Sequence, residues 1–128
     1  MPLEIIRTVA TFVLAALFIF MGIMHFVPAF ARGMAAMIPP RMKGTGLLSG
    51  KNLVRFTGLC EIAGGIGLLI PQTRVAASVA LVVFLVLVFP ANAYAAARPE
   101  KFGKAATPFW PRLIAQVLLI ALVIFVAL

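Results

Sequence analysis

Residues 53–74, LVRFTGLCEIAGGIGLLI followed by PQTR, decide how this chain folds. The run from Leu53 to Ile70 carries one cation, Arg55, one carboxylate, Glu61, and four glycines at 58, 64, 65 and 67. After the short break at 71–74, a second apolar run covers 75–97. A membrane helix needs about 20 apolar residues. Two such runs joined by so short a break predict an antiparallel hairpin of membrane helices. Working outward, residues 5–27 and 109–128 form two further runs of the same kind. The expected fold is all-α: one membrane domain over residues 1–128, built as a four-helix bundle.

Composition points the same way. Of 128 residues, 64% are hydrophobic and only 11% are charged, too few to cover a water-soluble surface. The net charge of +8 has no soluble body to form a nucleic-acid face, so the bilayer, with anionic lipids at the basic loops, is the expected partner. The single cysteine, Cys60, excludes an intrachain disulfide and any CxxC motif. The first run is too long for a signal peptide and ends in HFVP where a small-residue cleavage site would stand, so it is read as a retained helix.

The cations set an orientation. Arg32, Arg41, Lys43, Lys51, Arg55, Arg98, Lys101, Lys104 and Arg112 lie on one side of the four spans, and only Arg7 and Arg74 on the other. This places the loops at 28–52 and 98–108 in the cytoplasm and both termini outside. Within the first loop, Phe30, Met34, Met37 and Ile38 recur at helical spacing, predicting a short interfacial helix over about 29–38 that Pro39 and Pro40 end.

Ionisable and polar groups within membrane spans are costly and mark functional positions. Glu61 lies eight residues beyond Leu53, about 12 Å along the helix at roughly 1.5 Å per residue. Such a carboxyl is either protonated or paired with a cation; His25, Arg55 and Arg112 are the candidates. Gly58, Gly64 and Gly65, at i−3, i+3 and i+4 from Glu61, predict close helix packing beside it. Alternating helix direction brings His25, Asn92, Trp110, Arg112 and Gln116 into the same half of the bundle as Glu61. These six residues form the expected ligand pocket. Each also has a plainer reading: His25 bonded to loop backbone, Glu61 and Asn92 as interhelical hydrogen bonds, Arg112 snorkelling to the interface, and Trp110 as an interfacial anchor. Met21, Met24 and His25 raise the question of monovalent copper. Helical phase turns Met24 about 100° away from the face that Met21 and His25 share, so no metal site is assigned.

Three blocks together, the His25-Phe26 pair, GLCEIAGGIGLLIP at 58–71 and FPAN at 89–92, resemble the DoxX family of small four-helix membrane proteins. That resemblance implies a bacterial inner-membrane protein, with some relatives linked to redox or oxidative-stress complexes and others to assembly of partner proteins. Cysteine-pair chemistry of distant relatives does not carry over to a chain with one cysteine. The favoured function is a non-catalytic or accessory subunit that binds an amphipathic ligand, a lipid or a quinone, in the one-sided polar pocket. The alternatives are an assembly or scaffold factor for another membrane or redox protein, and an intramembrane acid–base enzyme using Glu61 and His25. A homo-oligomer is compatible with all three.

Overall fold

The computed structural model describes residues 2–28, 35, 49–96 and 109–128, with side chains undescribed at 51, 91–96 and 109. Four helices follow in order: α1 Pro2–Met24, α2 Gly50–Leu69, α3 Arg74–Ala96 and α4 Phe109–Ala127. No strand occurs among the described residues. The interfacial helix expected over 29–38 lies outside the described residues except for Ala35, whose backbone is helical.

Each boundary has a local cause. Pro2 opens α1, where a missing N–H costs nothing. The expected end of α1 at residue 27 retreats to Met24. There the backbone tightens into i→i−3 bonds, His25 N–H to Gly22 O at 3.2 Å and Phe26 N–H to Ile23 O at 2.9 Å. Pro28 disfavours helical geometry in the residue before it, which is consistent with this early stop. Helix α2 starts three residues earlier than the apolar run, because Ser49 is its N-cap and its hydroxyl accepts from Asn52 N–H at 3.4 Å. Between α2 and α3 the turn is locked by Thr73. Its N–H bonds Ile70 O at 3.0 Å and its hydroxyl donates to Gly67 O at 2.8 Å. Arg74 Nε–H donates to Leu68 O at 2.8 Å, so the open carbonyls at the end of α2 are capped.

The helices form a ring in which α1 packs on α2, α2 on α3, α3 on α4, and α4 more thinly back on α1. Leu14, Ala15 and Phe18 of α1 meet Leu68, Ala77, Leu81, Leu85, Val123 and Val126 in one apolar core. Ser78 is buried there and donates to the Val123 carbonyl at 2.7 Å, tying α3 to α4. Outside the ring every helix is greasy: Phe12, Leu17 and Phe20, Phe56 and Leu59, Val83 and Leu87, and Ile114 and Leu118 are all exposed. Soluble monomers rarely expose apolar patches beyond a few hundred Å². Pro2–Met24, Asn52–Leu69 and Trp110–Ala127 are long and apolar enough to cross a bilayer, with mean hydropathies of 2.2, 1.2 and 2.2. The described apolar run of α3 is shorter, Arg74–Pro90. This is a membrane protein with an all-α, four-helix architecture.

Candidate functional site

The site begins with glycines. A Cβ on Gly22 would stand 2.7 Å from the Gly58 carbonyl oxygen, and one on Gly58 would stand 2.7 Å from His25 Cβ. A Cβ on Gly65 would meet Ile19 Cγ1 at 2.8 Å and the Ala15 carbonyl oxygen at 3.0 Å. These three positions let α1 and α2 approach backbone to backbone. Gly64 does not share that contact: a Cβ there would strike Leu81 of α3 at 2.5 Å. Gly67 likewise faces Ala77 of α3. The single packing face expected for Gly58, Gly64 and Gly65 is therefore two faces. Helical phase explains the split: at about 100° per residue, Gly58 and Gly65 fall to one side of Glu61 and Gly64 to the other. Glu61 points between them.

This packing sets His25 against Glu61. His25 Nδ1 lies 2.6 Å from the Met21 carbonyl oxygen and 3.2 Å from Glu61 Oε2. A carbonyl at that distance can only accept, so the proton sits on Nδ1 and points toward Met21. Glu61 receives an electrostatic contact without a formed hydrogen bond. Its Oε2 is buried and has no hydrogen-bond partner among the described residues, and Glu61 as a whole is 8% exposed. Of the three candidate cations, the structure places His25 beside the carboxyl, while Arg55 is exposed.

The other expected pocket residues go elsewhere or lie beyond description. Gln116 donates through Nε2 to the Leu85 carbonyl at 2.9 Å, one turn before Pro90 on α3. It ties α4 to α3 next to the proline. Trp110 is 68% exposed and faces out of the bundle. Arg112 is half-buried in the first turn of α4. Asn92 lies in the backbone helix of α3, with its side chain outside the described residues. Met21 supplies its carbonyl to His25 and is itself 38% exposed. No group of three His, Cys, Asp or Glu gathers among the described residues.

Sequence reasoning missed a second polar cluster, at the end of the bundle away from His25. There Arg7, Thr8, Thr11, Phe12, Leu69 and Arg74 line a partly enclosed cavity of about 80 Å³. The signal was present in Arg7 itself, a cation set into an apolar helix on the same face as Thr11. A separate apolar groove of about 390 Å³ runs between α1 and α4, lined by Ile5, Ile6, Val9 and Leu122 among others.

Neither the curated proteins nor the solved structures contain a match to this chain. Residues 14–127 match the family described as Domain of unknown function (DUF8561), and the DoxX family gives no match. The resemblance drawn from the histidine, the glycine block and FPAN is thereby overturned. Small residues three or four apart, with a few polar groups, arise wherever membrane helices pack closely, whatever their ancestry. The match spans nearly the whole chain, and the protein belongs to the DUF8561 family.

Proposed function

We propose that the chain is an accessory, non-catalytic subunit of the bacterial cytoplasmic membrane that holds the polar head of an amphipathic molecule at Glu61. The observation that carries this reading is the buried Glu61 Oε2, which has no hydrogen-bond donor among the described residues although His25 Nδ1 lies 3.2 Å away. Leaving a buried acceptor unmatched costs about 1–3 kcal/mol, and more for a charged one. A hydroxyl-bearing head group, such as that of a quinol or a hydroxylated lipid, would donate the missing hydrogen bond. His25, already fixed by the Met21 carbonyl, would lie alongside it. The apolar surroundings suit the tail of the same molecule. The Arg and Lys count supports an orientation with residues 28–52 and 98–108 in the cytoplasm.

The test is extraction of the native membrane protein in a mild detergent, followed by solvent extraction and mass spectrometry of what it retained. Wild type is expected to carry about one hydroxyl-bearing amphipath per chain, and Glu61→Ala, which removes the acceptor, to lose it while keeping its helical content. If wild type carries no stoichiometric small molecule, or Glu61→Ala retains the same one, the reading fails.

A further inference from the structure

The second cluster supports an inference independent of Glu61. Arg7 lies 18 positions before His25 on α1, about 27 Å away along the axis, and so belongs to the opposite end of the bundle. Its guanidinium carbon sits 5.3 Å from the centroid of the Phe125 ring of α4. That cation–π contact holds the charge near α4 but satisfies none of the guanidinium N–H groups. Arg7 Nε is buried with no hydrogen-bond partner among the described residues. Across the same cavity stands Arg74, whose Nε is spent on the Leu68 carbonyl. Glu4, the carboxylate nearest in sequence, forms no ion pair with either arginine among the described residues. The Thr11 hydroxyl bonds the Arg7 carbonyl at 2.8 Å, and Thr8 completes the polar wall.

Two cationic side chains lining one small cavity, with no carboxylate among its walls, make it favourable to an anion. The cavity of about 80 Å³, walled by two arginines and two threonines, has room for a small oxyanion such as a phosphate group. Arginine forks match phosphate oxygens bidentately. The cluster also lies at the level where α1 starts and α2 turns into α3, which is the head-group level of a bilayer. We infer that this end of the bundle is a phosphate-binding site for an anionic phospholipid, its phosphodiester held between Arg7 and Arg74 with the lipid tails outside the ring. It lies on the side that carries only these two cations, away from the basic loops.

The test is native mass spectrometry of the full-length protein, delipidated in mild detergent and titrated separately with phosphatidylglycerol, phosphatidylcholine and inorganic phosphate. Wild type is expected to retain one phosphatidylglycerol in preference to phosphatidylcholine. Arg7→Gln and Arg74→Gln should each weaken that retention about tenfold, the loss expected when charge-assisted hydrogen bonds are removed. Arg7→Lys, which keeps the charge and the stem, should fold normally and still bind more weakly than wild type. A further measurement needs no variant: retention by wild type should fall as ionic strength rises. Equal phosphatidylglycerol affinity in wild type and the double Gln variant, or retention indifferent to salt, overturns the site. Saturation by inorganic phosphate with no lipid retained overturns the lipid as the source of the anion.

Discussion

At the scale of single residues, the glycines of α1 and α2 are distinguished by what they face. Gly22 and Gly58 oppose backbone oxygen atoms and His25 Cβ, none of which can swing aside. Gly64 opposes the branched end of Leu81, which can change rotamer. Overpacking a closely packed interior costs about 1–3 kcal/mol. Gly22→Ala and Gly58→Ala are therefore expected to destabilise the protein toward the upper end of that range, and Gly64→Ala toward the lower end. Thermal melting of the three variants in one detergent checks the order; equal losses would show that the α1–α2 contact is no tighter than the α2–α3 contact. Antiparallel direction fixes which helix ends meet, which made His25, Arg55 and Arg112 all candidates for Glu61 without choosing among them; the close approach of α1 and α2 at Gly58 is what sets His25 beside the carboxyl.

At the scale of the helix, boundaries depend on caps that hydropathy does not register. Ser49 lies outside the apolar run of α2 and still starts it, with its hydroxyl on Asn52 N–H. Ser49→Ala should cost about 1 kcal/mol, as loss of an N-cap does. Hydrogen exchange should show the first turn of α2 opening more readily, with Glu61 and its neighbours unchanged; no change at residues 50–53 would mean the cap is idle. The end of α1 follows the same logic in reverse, since Pro28 acts on the chain before it reaches the position where the apolar run stops. The interhelical bonds from Ser78 and Gln116 were invisible to sequence reading in another way. Each donates to a backbone carbonyl, so neither has a polar side-chain partner to search for. Ser78→Ala should cost about 0.6 kcal/mol, the usual worth of a hydrogen bond between membrane helices. A double-mutant comparison with Gln116→Leu should give additive losses, because the two bonds sit at separate levels of α3.

For the molecule as a whole, the length and greasiness of the runs made a helical membrane bundle plain from the sequence. The lateral order of helices was not, because almost every face is apolar and hydropathy cannot say which faces meet. The asymmetry of the cations predicts that a reporter fused after residue 128 lies outside the cytoplasm and one fused in the 98–108 loop lies inside. Alkaline phosphatase activity at the first position and fluorescence of a cytoplasmic reporter at the second would agree with this. The converse pattern would reverse the orientation and place the Arg7–Arg74 cluster on the cytoplasmic leaflet.

The turn between α2 and α3 bears on how the chain enters the bilayer. The four residues 70–73 leave little slack for one helix to settle before the other, which favours delivery of α2 and α3 to the lipid as a single unit. In the orientation proposed from the Arg and Lys count, that unit carries Arg74 across at its tip. A bare arginine at mid-bilayer costs about 2.5–3.5 kcal/mol on insertion scales. Once the turn has formed, Arg74 already holds the Leu68 carbonyl and Thr73 holds that of Gly67, so the tip crosses with part of its polar demand met from within. The same few bonds that finish the helix in the folded protein thus ease its passage during biogenesis.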